Sequence, residues 1–158
     1  MRLKMSLKNT KNLILVVFLG FLLTACATSS RKPGKDYYTG SDTVKFLASG
    51  VADRVFFATN RSSLHSGAKG TLNKQAAYIK SSGISVVVEG HADERGTREY
   101  NLALGERRAN AARDYLMTYG ISGKRISVIS YGKEKPVNAK SSPLAWSQNR
   151  RSVTVKVN

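Results

Sequence analysis

The sequence contains almost no cysteine: Cys26 is the single one among 158 residues. One thiol cannot form an internal disulfide, so the core must hold the fold without a covalent crosslink. Acidic residues are also scarce, since ten Asp and Glu face 26 Lys and Arg. The apolar run at residues 13–23 has only 11 residues. A membrane-spanning helix needs about 20, so this run is too short to cross a bilayer.

The first 25 residues combine that short apolar run with a basic start. Four basic residues and no acid precede Cys26: Arg2, Lys4, Lys8 and Lys11. A basic region, a short apolar run and small residues after it are typical of a secretory signal peptide. We therefore predict a signal peptide at residues 1–25. A short membrane anchor or a buried core helix is the alternative, and it fits the flanking residues less well.

The end of this segment reads LTAC over residues 23–26 and resembles the bacterial lipobox. In a lipobox the cysteine is lipidated and the chain is cut just before it, so the resemblance implies S-diacylglycerol and N-palmitoyl groups on Cys26. Several acyl chains anchor a protein stably, since each buried CH₂ contributes about 0.8 kcal/mol. Ala27, where Asp would favour the inner membrane, indicates the outer membrane. The alternative is an ordinary cleavage site beside a free thiol.

The remaining 133 of the 158 residues are enough for one domain with a real core. The first 25 hold four of the 26 basic residues and no acid, so the rest carries a net charge of +12. Such a charge suits a polyanion or an anionic membrane surface. Residues 26–50 are predicted to be the lipidated N-terminus and a polar tether, with Phe46 and Leu47 able to dock on the domain. Residues 51–158 form that domain.

The hydrophobic pattern of residues 51–158 predicts strands alternating with helices. Apolar or alternating runs predict strands at residues 54–57, 84–90, 125–131 and 151–157. Three- and four-residue spacing, with capping residues, predicts helices at 66–82, 98–119 and 143–149. The fold class is therefore an α/β (α+β) two-layer sandwich of βαβαβ type, with a mixed sheet and helices packed on it.

Two patterns within these elements make finer predictions. Thr97 is a suitable N-cap for the helix at 98–119. One face of that helix carries Leu102, Gly105, Ala109, Ala112, Leu116 and Tyr119, and its small residues would allow close packing on the sheet. The last strand alternates polar and apolar residues, which gives it one apolar face.

The loop between the second strand and the long helix carries the candidate site. Asp93 lies in that loop, and Asn101 and Arg108 are two helical turns apart, which places them on one side of the helix. A carboxylate accepts hydrogen bonds from an ammonium, and Arg holds a carboxylate in a bidentate manner. Together Asp93 and Arg108 would suit a zwitterionic amino-acid head. The alternative is a structural ion pair between the two.

Several ordered motifs resemble the peptidoglycan-associated lipoprotein family, whose domain belongs to the OmpA C-terminal-like group. They are GHADERGT at residues 90–97, YN at 100–101, LGERRAN at 104–110, SYGKEKP at 130–136 and NRR at 149–151. The resemblance implies non-covalent binding of meso-diaminopimelate in the peptide stem of peptidoglycan. It also implies TolB and TolA as partners, at the periplasmic side of the outer membrane.

The same resemblance assigns roles to individual residues. Asp93 would take the amino group of the ligand and Arg108 its carboxylate, and alanine at either position should abolish binding while leaving the thermal transition intact. Thr97 and Asn101 would order the loop and line the site, and Arg150 or Arg151 would add charge beside it. The predicted peptidoglycan-binding residues are Asp93, Arg108, Thr97, Asn101, Phe57 and Ala58.

The chain departs from the family at residues 57–60. Members commonly carry Phe-Asp-x-Asp there, whereas this sequence reads FATN. If those acids contact ligand in relatives, the site here depends more on Asp93 and on backbone groups.

Other classes of function fit the sequence less well. A hydrolase needs paired acids or a nucleophile with a base, and no motif groups such residues. A zinc site needs three or four ligands, and His91 with Asp93 and Glu94 lacks a further His or Cys cluster. A basic nucleic-acid-binding module would require a cytoplasmic chain. No catalytic residue, metal or cofactor is therefore predicted.

Overall fold

The computed structural model describes residues 43–157, so the predicted signal peptide, Cys26 and most of the predicted tether lie outside the described residues. The helices are α1 (Ser66–Ser82), α2 (Arg98–Thr118) and α3 (Pro143–Asn149). The strands are β1 (Phe46–Ala48), β2 (Val51–Ala52), β3 (Arg54–Phe56), β4 (Val86–His91), β5 (Ile126–Gly132) and β6 (Arg151–Lys156). A short 3₁₀ turn, Gly123–Arg125, precedes β5.

The main sheet has four strands in the order β3-β6-β4-β5. β4 and β5 are parallel and are joined through α2, whereas β6 is antiparallel to both of its neighbours, β3 and β4. The predicted mixed α/β sheet is therefore confirmed. The last strand, β6, completes the sheet by inserting between β3 and β4. β1 and β2 form a separate antiparallel pair.

The core lies between the sheet and the two long helices. Leu72 and Ile79 from α1 and Leu116 from α2 are buried in one cluster with Val86 and Val88 of β4. α2 also comes unusually close to β4 where two glycines meet. A Cβ built on Gly90 would lie 1.9 Å from the carbonyl oxygen of Gly105, so neither glycine has room for a side chain. The predicted close approach of the small-residue face is therefore present.

The predicted apolar face of α2 is wrong at both ends. Leu102 is 48% exposed and Tyr119, the residue that caps the helix, is 42% exposed. The inward positions of the first turns belong to Asn101 and Leu104. The pattern failed because the buried side of the first turn carries a polar side chain with a specific hydrogen-bond partner.

The alternation of polar and apolar residues in β6 does not match their burial. Thr154 is buried and its hydroxyl donates a hydrogen bond of 2.7 Å to Gln75 of α1, whereas Val155 is 40% exposed. The polar residue therefore faces the helices and the apolar residue faces away. A buried Gln on α1 explains this, because its side-chain oxygen needs a donor from the strand.

The β1–β2 pair straddles the predicted boundary between residues 50 and 51. Leu47 is buried in the core cluster, while Phe46 is 67% exposed. Of the two residues predicted to dock, Leu47 does so. Among residues 43–157, no helix is both long enough and apolar enough to span a bilayer.

Candidate functional site

The loop after β4, residues 92–97, places a buried carboxylate at the carboxyl end of a central strand. Asp93 is 7% exposed. Its Oδ2 lies 2.7 Å from Nη2 of Arg95, and its Oδ1 accepts bonds from Nε (3.2 Å) and the backbone N–H (3.1 Å) of the same residue. Nη1 of Arg150 lies 3.4 Å from Oδ2. Two arginines, one local and one from the residue before β6, therefore surround this acid.

The protonation of Asp93 follows from this environment. Burial by itself raises its pKa, but hydrogen bonds and charge from Arg95, with a further bond from Arg150, outweigh burial and hold the pKa below its ordinary value. Asp93 is therefore ionised at neutral pH and can accept hydrogen bonds from a cation.

Arg108 is fully buried, and its guanidinium donates to three backbone carbonyls. Nε donates to Arg61 (2.9 Å), Nη1 to His91 (2.8 Å) and Nη2 to Ala58 (3.1 Å). Its side chain also lies over the ring of Phe57, with 5.4 Å between Cζ and the ring centroid. Burial, then the nearby charge of Arg150, lowers its pKa to about 10. Arg108 thus fastens the segment after β3 to the end of β4.

Asp93 and Arg108 do not form the ion pair considered from the sequence. Within the described chain, the ion-pair partners of Asp93 are Arg95 and Arg150. Arg150, expected only as extra charge, links the loop after β4 to the segment after β3. Its Nη1 contacts Asp93, and its Nε donates to the carbonyl of Phe57 at 3.0 Å. No local pattern could indicate this role, because residues 93 and 150 are far apart in the chain.

Thr97 and Asn101 order the loop. The hydroxyl of Thr97 accepts a bond from the backbone of Tyr100 and caps α2, as predicted. Asn101 is 1% exposed and donates from Nδ2 to the carbonyl of Arg95 at 2.9 Å. This bond fixes the backbone that presents Arg95 to Asp93.

The segment 57–60 contributes backbone groups to this region. The ring of Phe57 is fully buried, and the carbonyl of Ala58 accepts from Arg108. Asn60 adopts a left-handed conformation, with φ of 53°, which Asn tolerates better than most residues. The residues that replace the family's acids therefore shape a turn around the guanidinium of Arg108.

A second polar cluster, not predicted from the sequence, adjoins Asp93. Glu94 accepts bonds from Nε1 of Trp146 (2.8 Å) and from the hydroxyl of Ser141 (3.0 Å). The guanidinium of Arg95 stacks on Trp146, with Cζ 4.3 Å from the ring centroid. Trp146 therefore supports an arginine of the site.

His91 ends β4 with its ring turned away from the helices. It is 2% exposed, and its Nε2 lies 3.4 Å from a carboxylate oxygen of Glu89. Burial, together with the charges of Arg151, Arg54 and Lys135, lowers its pKa to about 3. The ring is therefore neutral. In the same part of the chain, no three His, Cys, Asp or Glu side chains are grouped to hold a metal ion.

Comparisons with known proteins agree with this fold. The OmpA family model matches residues 56–150. A peptidoglycan-associated lipoprotein of Mesorhizobium japonicum is 42% identical over 154 residues, 92% of each chain. That of Rhizobium meliloti is 56% identical over 106 residues, 66% of this chain and 60% of the relative.

Two solved structures share this fold. The crystal structure of the peptidoglycan-associated lipoprotein from Burkholderia pseudomallei has a TM-score of 0.64 at 38% identity, covering 66% of this chain and 90% of that one. The C-terminal domain of MotB from Helicobacter pylori shares the fold, with a TM-score of 0.62 at 19% identity, covering 67% of this chain and 84% of its own. The chain belongs to the OmpA family. Within that family it is a homologue of the peptidoglycan-associated lipoproteins.

Proposed function

We propose that this chain is an outer-membrane lipoprotein whose domain binds the peptide stem of peptidoglycan non-covalently, tying the membrane to the cell wall. The observation that carries the proposal is the match to a peptidoglycan-associated lipoprotein over 92% of both chains. Members of this family bind without catalysing a reaction, so no chemical step is proposed.

The chemistry of Asp93 supports a ligand with an ammonium group. A buried, ionised carboxylate has few partners that offset its desolvation, and a fixed cation is one of them. The free end of meso-diaminopimelate carries an ammonium and a carboxylate together. We assign the ammonium to Asp93, with Thr97 and Asn101 holding the loop in place.

We assign the ligand carboxylate to Arg108, whose guanidinium is buried and already bonded within the protein. Each guanidinium nitrogen of Arg108 donates one bond to a protein carbonyl, and Nη1 and Nη2 each keep a second N–H. Because Arg108 is fully buried, a carboxylate can reach those N–H groups only if a neighbouring segment shifts. The segment after β3, which presents the carbonyls of Ala58 and Arg61, can shift without breaking the sheet. Phe57 and Ala58 would then line the ligand.

Sedimentation with purified sacculi tests the proposal. The wild-type protein should pellet with sacculi without releasing soluble fragments, and Asp93→Asn should remain in the supernatant with an unchanged circular dichroism spectrum. Asp114→Asn is the matched control, since Asp114 is an exposed acid on α2 paired with Arg113. Pelleting of Asp93→Asn at the wild-type level would exclude Asp93 as the ligand-binding carboxylate.

The lipid anchor is a separate part of the proposal. Cys26 would carry the S-diacylglycerol and N-palmitoyl groups and hold the domain on the periplasmic side of the outer membrane. Cys26→Ser should leave the protein without lipid and outside the outer-membrane fraction. Normal outer-membrane fractionation of this variant would refute the anchor.

The partners proposed from the family are TolB, in competition with the cell wall, and TolA, with a role in envelope integrity and constriction during division. Purified TolB should reduce the sedimentation of this protein with sacculi in a concentration-dependent manner. Additive binding of TolB and sacculi would contradict a shared site.

A further inference from the structure

We propose that Arg95 is a built-in competitor for the ligand: its guanidinium occupies Asp93 and is displaced by the ligand's ammonium on binding. This inference rests on the proposed function, because it specifies how a cationic ligand gains access to Asp93.

The contacts of Asp93 single out Arg95 as the exchangeable partner. Arg150 is buried, with a side chain only 6% exposed, and is held by the carbonyl of Phe57. The side chain of Arg95 is 42% exposed, and it lies on the same carboxylate with two bonds. A ligand that arrives from solvent therefore meets Arg95 first, while Arg150 remains in place behind Asp93.

Arg95 keeps a favourable position after it leaves the carboxylate. Its guanidinium already stacks on Trp146, and a cation on an aromatic face is attracted by the ring's electrons. Trp146 is itself fixed by the bond from its Nε1 to Glu94. The exchange therefore breaks the contacts between Arg95 and Asp93 but preserves the stack, which reduces the cost of displacement.

The net charge around Asp93 supports exchange instead of simple addition. Arg95 and Arg150 already place two positive charges beside one carboxylate. A further ammonium added to this set would be repelled, whereas an ammonium that replaces Arg95 at the carboxylate meets less repulsion, because the displaced guanidinium no longer contacts Asp93. Loss of the Arg95 charge should therefore strengthen binding, in contrast to the loss of Asp93.

Calorimetric titration with a purified disaccharide tripeptide containing meso-diaminopimelate tests the proposal. For Arg95→Gln the Kd should fall by about fivefold, the size expected when a partly exposed ion pair no longer competes. Arg95→Lys keeps the charge but loses the planar guanidinium that bonds both carboxylate oxygens. Its Kd should therefore lie between those of Arg95→Gln and the wild type. Arg98→Gln is the control, because Arg98 is an exposed arginine that pairs with Glu134 instead of Asp93.

A second measurement needs no ligand. In Arg95→Gln the pKa of Asp93, followed by NMR, should rise, because Arg95 supplies the main interactions that lower it. An unchanged or higher Kd for Arg95→Gln, or an unchanged pKa of Asp93, overturns the proposal. Wild-type binding by Asp93→Asn, or no binding by the wild type, would instead refute the proposed function, and this inference with it.

Discussion

The two faces of the sheet are built differently. The face under the helices is mostly apolar and closely fitted, with Val86 and Val88 in the core, Gly90 against Gly105, and Thr154 hydrogen-bonded to a buried Gln of α1. The other face carries buried or half-buried polar groups. They include His91, Arg151 and Glu89, and a cavity of about 530 Å³ lies over part of that face. Close packing therefore stabilises the helix-covered face, whereas interactions between charged groups stabilise the opposite, charged face.

The candidate site lies where the two faces meet, at the end of β4. The carbonyl of His91 accepts a bond from Arg108, which reaches it from the helix side, while the ring of His91 lies among cations on the opposite side. Asp93 follows two residues later. The position of this carboxylate thus depends on close packing on one side and on electrostatics on the other, and each dependence can be tested by substitution.

The largest effect should come from adding one carbon on the helix-covered face. In Gly90→Ala the new Cβ would lie 1.9 Å from a backbone oxygen, so α2 must move off the sheet. The free energy of unfolding should fall by more than about 4 kcal/mol, above the usual overpacking cost of about 1–3 kcal/mol, because backbone must shift. Urea denaturation measures this.

Gly70→Ala is the matched control for that substitution. Gly70 lies in α1 with nothing within 4 Å of a built Cβ. Alanine there should stabilise the protein by about 0.5–1 kcal/mol, since glycine weakens a helix interior. Equal effects of the two substitutions would show that the helix-covered face is not closely fitted.

The second effect concerns Arg108. Arg108→Lys keeps the charge but cannot reach three carbonyls, and buried acceptors without a donor are costly. We expect the free energy of unfolding to fall by about 2–4 kcal/mol. Arg107→Lys, on the exposed side of α2, should change it little. This revises the expectation from sequence that Arg108→Ala leaves thermal stability intact. A wild-type melting temperature for Arg108→Lys would restore that expectation.

The sequence predicted α1 and α3 to the residue, because Gly83 marks the end of α1 and Pro143 marks the start of α3. It placed Arg108 beside the buried side of α2 but not in contact with carbonyls 17 to 50 residues away. Nor could it show that Arg150 and Arg95 share Asp93. Local pattern determines which side of an element is buried, whereas partners distant in sequence depend on how the elements pack.

The smallest expected effect on the free energy of unfolding concerns His91 on the charged face, and it depends on pH. The pKa of His91 is about 3 in the fold against 6.5 ordinarily, so between these values the unfolded chain binds a proton that the fold excludes. The free energy of unfolding should therefore be fully maintained above pH 6.5 and decrease as the pH falls towards 3. One pKa unit corresponds to about 1.36 kcal/mol, which gives a loss of about 2 kcal/mol at pH 5 from this group alone.

His91→Phe isolates the contribution of His91, because Phe does not titrate and retains an aromatic ring beside Tyr131, 5.5 Å away between ring centroids in the wild type. Urea denaturation at pH 7.5 and pH 5 should show a smaller acid-induced loss in the variant than in the wild type. His65, whose pKa is also lowered by burial, is present in both proteins and cancels in the difference. Equal acid losses would mean that His91 gains a proton in the fold. The neighbouring cations would then have to move apart, and the charged face would be as adaptable as the helix-covered face is rigid.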